Sequence, residues 1–177
     1  MRKLAVSCPS PRTEIVYVVG IEIKSGRGRY RDSRLITIAP RFTIDNRSSR
    51  KVQISQKCFA TSFLDPAAEA THLELTPGCN LPFHWPRLDR EQLLCVRLAD
   101  IKGGLWTGGF PIENVDSFHI PVRNYDGACS FLRVEIVIQG PTYFIVLGDT
   151  DKLPPPFRVD NFSFVPITFH QVFFFPV

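Results

Sequence analysis

The stretch Pro40-Arg41-Phe42-Thr43-Ile44-Asp45-Asn46-Arg47-Ser48 returns later in the chain as Pro155-Pro156-Phe157-Arg158-Val159-Asp160-Asn161-Phe162-Ser163. The two asparagines are 161 − 46 = 115 residues apart, and Val52–Gln56 matches Ile167–Gln171 at the same offset. Helical solenoids have shorter units of about 20–50 residues, whereas a β-sandwich unit has about 100. The repeat therefore predicts an array of β-sandwich units.

A second match, upstream of the first, divides the chain into units. Ile21-Glu22-Ile23 resembles Val134-Glu135-Ile136 at an offset of 134 − 21 = 113 residues. We therefore expect residues 1–38 to end one unit, residues 39–154 to form a complete unit, and residues 155–177 to begin a third. Such a chain would be a piece of a longer array.

Composition also favours strands, because the chain has 15 Phe and 15 Pro against one Met. Aromatic residues suit a pleated sheet, and proline is poorly tolerated inside helices. The sequence predicts an all-β fold of tandem β-sandwich-like repeats, with one complete unit flanked by partial units. Only Pro66–Ala70 has a locally helical pattern. The predicted strands are Ile15–Ile23, Arg34–Ile38, Phe42–Ile44, Val52–Ser55, His72–Leu75, Leu93–Leu98, Phe118–Pro121, Phe131–Ile138, Tyr143–Leu147, Phe157–Val159 and Ile167–His170.

Residue patterns that carry catalysis or bind metals are missing from the sequence. The five Cys include no Cys-x-x-Cys pair, and the four His have no metal-ligand spacing. There is no phosphate-binding loop and no nucleophile motif. We therefore expect no enzyme, no cofactor and no metal site. Widely spaced thiols are typical of a cytosolic protein, and no apolar run reaches the roughly 18 residues that span a bilayer.

The densest run of positive charge is formed by Arg27, Arg29, Arg31 and Arg34. A solvated loop is the favoured interpretation, and a contact with phosphate or an acidic lipid surface is the alternative. A net charge of +4 indicates solubility and weak non-specific binding before any function. We do not expect a nucleic-acid partner.

The repeated Asp-Asn pair allows two interpretations. Asx side chains bond nearby backbone groups, so Asp-Asn-x-Ser between two strands predicts a structural corner. Alternatively, Asp45, Asn46, Asp160 and Asn161 contact a partner, because an asparagine amide can pair with the backbone of an extended peptide. The two roles are compatible, since an asparagine that organises a corner can also hold a groove open.

Two aromatic stretches are expected to pack rather than to react. The glycine-rich Gly103–Gly109 contains Trp106 and lacks the Lys-Ser/Thr pair of a phosphate-binding loop. It predicts a tight loop between strands that carries a packed tryptophan. Phe83-His84-Trp85-Pro86 predicts core or edge packing.

The repeated Pro-x-Phe-x-Ile/Val-Asp-Asn-x-Ser resembles the unit signature of the adaptor-binding (VAB, or SHORT-ROOT-binding-like) region of the vacuolar-protein-sorting-thirteen family, in particular its D-type branch. Further segments share the resemblance, which runs from Ile21 to Gln171. Residues 1–13 and the tail Val172–Val177 are expected to depart from it. The supporting segments are Tyr30–Pro40, Phe83–Pro86, Gln92–Leu98, Phe131–Ile136 and Leu153–Arg158.

The resemblance implies a module of a bridge-like lipid transfer protein that binds Pro-x-Pro-type motifs on organelle adaptors. For the D-type branch it implies Miro GTPases of mitochondria and peroxisomes as partners, and a cytoplasmic, peripheral location at membrane contact sites. The family's characteristic asparagine corresponds to Asn46 and Asn161. Other partners would be neighbouring units of the same chain, and membrane association would be indirect. A purely structural spacer without its own ligand is the alternative.

Overall fold

Strands make up nearly half of the part of the chain that the computed structural model describes, which is residues 17–60, 71–150 and 159–168. One helical turn, α1, and a 3₁₀ turn at Gly28–Tyr30 interrupt them. The predicted all-β fold is confirmed. The elements are β1 (Val19–Ser25), β2 (Arg34–Pro40), β3 (Phe42–Asn46), β4 (Val52–Gln56), α1 (Lys57–Ala60), β5 (Leu73–Leu75), β6 (Asn80–Phe83), β7 (Leu94–Leu98), β8 (Asp116–Arg123), β9 (Cys129–Gln139) and β10 (Thr142–Asp149).

Strands β3 to β10 form two sheets that share one core. One sheet has the order β6-β3-β10-β9-β8, and the other has the order β5-β4-β7. Among the described strands the only parallel pair is β3 with β10, which aligns Ile44 with Ile145. Because side chains alternate along a strand, the inward positions of both sheets meet in one apolar layer. This layer includes Phe42, Ile44, Val52, Ile54, Leu75, Phe83, Leu94, Val96, Leu98, Ile120, Val122, Val134, Ile136, Ile145 and Leu147.

The strand predictions differ from the structure at a few places with identifiable causes. Strand β6 was not predicted, because Pro82 and the preceding turn obscure its pattern, and pairing of Ile44 with Leu81 defines it. Pro121 lies within β8, which is tolerated because β8 is an edge strand. The predicted helical segment Pro66–Ala70 lies outside the described residues. Residues 159–168 contain no strand, although Val159 and Ile167–Thr168 were predicted to belong to strands.

The hairpin of β1 and β2 stands apart from the two sheets. Cross-strand pairs Ile21–Ile38 and Ile23–Ile36 put four isoleucines on one face, where each is between 44% and 63% exposed. Hairpin β9–β10 has apolar pairs in the same arrangement, Val134–Leu147 and Ile136–Ile145, and all four of these side chains are buried. The four-isoleucine face thus has the composition of a core face, but the described residues leave it exposed to solvent.

The base of the β1–β2 hairpin packs against the turn between β9 and β10. Arg41 donates its backbone N–H to the Val18 carbonyl oxygen at 3.3 Å, and Thr142 Oγ1 donates to the Pro40 carbonyl oxygen at 2.8 Å. Gly20 is buried at this contact, where a Cβ atom would lie 1.9 Å from the Pro141 carbonyl oxygen. The close approach of two backbones therefore requires a glycine.

Substituting Gly20→Ala is expected to push the hairpin off this turn and to destabilise the fold by about 1–3 kcal/mol, the usual cost of overpacking. Hydrogen exchange of the β1 and β2 amides would report the displacement. Gly148→Ala is the matched control, because nothing lies within 4 Å of its added Cβ atom. Equal amide exchange in the two variants would contradict the packing of the hairpin base against the turn between β9 and β10.

Candidate functional site

Asn46 ends strand β3 with its side chain turned into the core. It is completely buried, in the inward register of Phe42 and Ile44. Its Nδ2 donates to the carbonyl oxygens of Arg50 at 2.9 Å and Leu75 at 3.1 Å. Its Oδ1 accepts from Ser48, from the backbone N at 3.2 Å and from Oγ at 2.7 Å. Both N–H groups of the Asn46 amide nitrogen and both lone pairs of its amide oxygen are thereby hydrogen-bonded.

The same hydrogen-bond ring forms at the second copy of the repeat. Asn161 Nδ2 donates to the Val165 carbonyl oxygen at 2.9 Å, and Asn161 Oδ1 accepts from the Ser163 backbone N and Oγ at 2.9 and 2.7 Å. Ser163 and Val165 stand 115 residues after Ser48 and Arg50. The predicted Asx corner therefore exists at both copies. The copies differ in burial, because Asn161 is exposed.

The aspartates beside these asparagines point elsewhere. Asp45 faces away from the core, and its Oδ2 accepts a hydrogen bond from Arg47 Nε at 2.7 Å. Asp160 is exposed, like its neighbours in residues 159–168. The structure thus separates the four predicted contact residues into one buried asparagine, one aspartate paired within the corner, and two exposed residues. A partner-binding role for them stays a prediction, and at Asn46 it would act through the shape of the corner.

The Asn46 corner (Asn46, Ser48 and Arg50) is linked to the loop after β7. Arg50 Nε donates to Asp100 Oδ2 at 2.6 Å. Beside it, the Ala99 backbone N donates to the Lys51 carbonyl oxygen at 2.8 Å. The corner thereby positions the start of the loop that continues through Gly103 and Gly104.

This loop forms the floor of a groove of about 320 Å³, which we call the aromatic groove (Gln53, Arg97, Ile101, Gly103, Gly104, Trp106 and Tyr125). Tyr125 is 70% exposed and forms one wall, with its ring over Gly103. Gly103 has a φ of +75°, and a Cβ there would meet the Tyr125 ring at 2.7 Å. Only glycine fits this position without strain.

Backbone pairing holds the groove in shape without a ligand. Tyr125 N donates to the Gly103 carbonyl oxygen at 3.1 Å, and Leu105 N donates to the Arg123 carbonyl oxygen at 2.8 Å. Thr107 N bonds the Val96 carbonyl oxygen of β7 at 2.9 Å. The loop is therefore pinned both to β7 and to the turn between β8 and β9. A preformed groove loses little entropy when a ligand binds.

The second wall, Trp106, packs on the outer face of the three-stranded sheet. The Arg97 guanidinium lies 4.6 Å above its ring centre, and the His72 ring meets its edge at 4.9 Å. Arg97 Nε also donates to Gln53 Oε1 at 2.8 Å. Gln53 Nε2 in turn donates to Glu74. Side-chain hydrogen bonds from Lys51 and Gln53 lower the pKa of the Glu74 carboxyl group below its usual range.

The predicted loop with a packed tryptophan is thus confirmed, and so is the packing of Phe83 and Trp85 in the core. Sequence reasoning missed Tyr125 as a groove residue. The available signal was its position before the turn residues Asp126 and Gly127, which expose a side chain at a loop tip.

The four arginines of the basic run lie together at the tip of the β1–β2 hairpin, and none of them lines the aromatic groove. Arg31 pairs at 3.6 Å with its neighbour Asp32, and both side chains are more than 80% exposed. The Arg29 guanidinium lies 4.8 Å from the Tyr30 ring centre. The basic run is thus an exposed surface separate from the groove.

Residues 17–60, 71–150 and 159–168 contain neither a metal-binding cluster nor a membrane-spanning helix. No group of three or more His, Cys, Asp or Glu side chains is placed there to hold a metal ion. No helix in the same residues has the length and apolar character to cross a bilayer. Cys95 lies in the core, and desolvation raises the pKa of its thiol to about 11.

Comparison with known proteins shows that residues 2–174 match the family of the vacuolar-sorting associated protein 13 adaptor binding domain. Intermembrane lipid transfer protein VPS13D of Homo sapiens is 47% identical over 171 residues, which is 97% of this chain. Its counterpart in Drosophila melanogaster is 39% identical over 88% of the chain. Intermembrane lipid transfer protein VPS13 of Chaetomium thermophilum is 27% identical over 87% of it.

These matches confirm the resemblance inferred from the motifs. They also correct its extent, because the matched region reaches into residues 1–13 and into the tail, both of which were expected to fall outside it. The chain spans about 4% of the length of each of these relatives.

Proposed function

The chain belongs to the family of VPS13 adaptor-binding domains, a protein-interaction module, and we propose that it attaches a lipid transfer protein to organelle membranes by binding adaptor proteins there. The aromatic groove is the observation that carries this proposal. It is preformed, it lies on a face that the described residues leave open, and it has an aromatic side chain on each side. It is the feature in the described residues best suited to hold a short peptide.

The ligand that fits the aromatic groove best is an extended proline-rich segment of the Pro-x-Pro type. Proline rings pack on aromatic side chains, and a polyproline II segment is already ordered before it binds. Prolines have no N–H to donate, so their carbonyl oxygens need donors from the groove. Arg97 and Gln53 line the groove beside Trp106 and bring such donors.

Membership of this family supports the partners and the location that we propose. The human and fly relatives are named intermembrane lipid transfer proteins. We assign this chain adaptors at membrane contact sites, with the Miro GTPases of mitochondria and peroxisomes as the first candidates. Its location would then be cytoplasmic and peripheral.

The neighbouring units of a longer array are the second kind of partner. The exposed pairs Ile21–Ile38 and Ile23–Ile36 match the buried pairs of β9–β10 in both register and composition. This supports a preceding unit that includes the β1–β2 hairpin and whose other strands cover the four-isoleucine face. The second Asx ring at Asn161 supports the start of another unit at residue 155.

Replacing Tyr125 by alanine is expected to weaken binding of a Pro-x-Pro peptide about tenfold or more, because exposed tyrosines in grooves are frequent binding hot spots. Calorimetric titration of the peptide measures the loss. Tyr30→Ala is the matched control, since Tyr30 is also more than half exposed but lies at the hairpin tip. Equal affinities of the Tyr125→Ala variant and the wild type would exclude the aromatic groove as the peptide-binding site.

A structural spacer is the second candidate function, and the complete use of the Asn46 side chain inside the fold favours it. The substitution Asn46→Ser distinguishes the two functions in a pull-down with the Pro-x-Pro peptide and with Miro. Loss of binding by a variant that keeps its circular dichroism spectrum supports adaptor recognition. If the folded wild type binds neither partner, the structural spacer is the function that remains.

A further inference from the structure

The tip of the β1–β2 hairpin is an ordered element. Gly26 N donates to the Ser33 carbonyl oxygen at 2.9 Å, and Arg31 N donates to the Gly28 carbonyl oxygen at 3.2 Å. Gly28 has a φ of +61°, and a Cβ at Gly26 would lie 2.1 Å from the Tyr30 carbonyl oxygen. Two glycines are therefore needed for this turn, and the turn fixes the direction in which its arginines leave the backbone.

The basic tip (residues 25–34) concentrates the positive charge of the chain. It has four arginines and one aspartate, so its net charge is 4 − 1 = +3, against +4 for all 177 residues. Among the described residues, Arg27, Arg29 and Arg34 have no carboxylate within ion-pair distance. Tyr30 stands between them and is 55% exposed.

We infer that the basic tip is a direct docking site for the surface of an anionic phospholipid bilayer. Charge complementarity supports this occupant, because basic residues are attracted to the negative surface potential of a cytoplasmic leaflet. The tip projects from the two sheets, since β1 and β2 contact chiefly each other. A projecting tip fits a flat membrane surface better than it fits a pocket.

The exposed tyrosine supports a bilayer over an acidic protein surface. Tyrosine is enriched at the headgroup level of membranes, where its ring and its hydroxyl group meet different surroundings. Arginines can rest their stems on the apolar side while the guanidinium remains in the headgroup layer.

The basic tip lies beyond the end of the four-isoleucine face that a neighbouring unit would cover. Arg34 is two residues beyond Ile36 along β2, which at about 3.3 Å per residue places its backbone roughly 7 Å further out. The bilayer contact therefore adds to adaptor binding and does not compete with it. Together they would make recruitment depend on both the adaptor and the lipid composition of the organelle.

Vesicle co-sedimentation of the full chain tests this inference. Vesicles of phosphatidylcholine with about 30% phosphatidylserine should bind the chain, and pure phosphatidylcholine vesicles should not. The triple substitution Arg27→Gln, Arg29→Gln, Arg34→Gln should lower the partition coefficient about a hundredfold, because each basic residue near such a surface contributes about fivefold. Binding should also weaken as salt rises above about 0.15 M.

The matched control is the triple substitution Arg90→Gln, Lys102→Gln, Arg123→Gln, which removes the same charge from exposed positions outside the tip. It should bind vesicles nearly as well as the wild type. An equal loss in the two triple variants would overturn the inference, since attraction would then depend on net charge alone. Tip-dependent binding to an acidic peptide without binding to vesicles would overturn it as well.

Discussion

The substitution Asn46→Asp is expected to destabilise the β-sandwich by about 3–5 kcal/mol. Aspartate has the same shape, but it replaces an Nδ2 that donates to the carbonyl oxygens of Arg50 and Leu75. The buried Leu75 carbonyl oxygen and the partly buried Arg50 carbonyl oxygen would lose their donor, and a carboxylate oxygen would face both of them. Because the site is completely buried, water cannot solvate the charge. Urea unfolding followed by tryptophan fluorescence measures the loss.

Asn161→Asp is the matched control for this prediction. Asn161 has the same local ring with Ser163 and Val165, but it is exposed. Its substitution should change the free energy of unfolding by less than about 1 kcal/mol. If the two aspartates cost the same, then burial and the bond to Leu75 are not what makes Asn46 important.

The substitution Phe42→Ala is expected to cost about 3–5 kcal/mol, because it leaves a cavity where three aromatic rings meet. Phe42 is buried, and the centres of the Trp85 and Tyr143 rings are each 6.1 Å from that of Phe42. Phe83, its cross-strand partner, also packs on Trp85 at 4.9 Å. Removing Phe42 therefore loosens β3, β6 and β10 together. The midpoint of urea unfolding should fall accordingly.

Phe131→Ala provides the comparison for this cavity. Phe131 has the same ring but is 50% exposed at the start of β9, so its loss should stay below about 1 kcal/mol. A Phe42→Ala variant that is as stable as the Phe131→Ala variant would show that the repeated phenylalanine is not a core anchor.

Much of the sandwich could be predicted because its strands are specified locally. The alternating or continuous apolar pattern of β3, β4, β7, β9 and β10 and the turn residues between them are visible in the sequence. The corner was also predictable, since an Asx side chain followed by serine two residues later bonds its own backbone. Strand β6 was not, because Asn80–Phe83 becomes a strand only through its pairing with β3.

The candidate site was less predictable because its parts meet only in the folded chain. Asn46 bonds Leu75 across 29 residues, and no local pattern reports that contact. Trp106 and Tyr125 line the same groove although they are 125 − 106 = 19 positions apart in the sequence. Trp106 could be recognised as a packed residue from its glycine-rich loop. Its role as a groove wall depends on where the β8–β9 turn places Tyr125.

One titration tests the central claim, adaptor binding through the aromatic groove, most directly. The chain has two tryptophans, Trp106 in the groove and Trp85 in the core, so its two indole N–H resonances report the two environments separately. When a Pro-x-Pro peptide is titrated into the ¹⁵N-labelled chain, we expect the Trp106 resonance to shift in a saturable manner while that of Trp85 stays in place. A folded chain in which saturating peptide moves neither resonance, or only that of Trp85, would contradict the account.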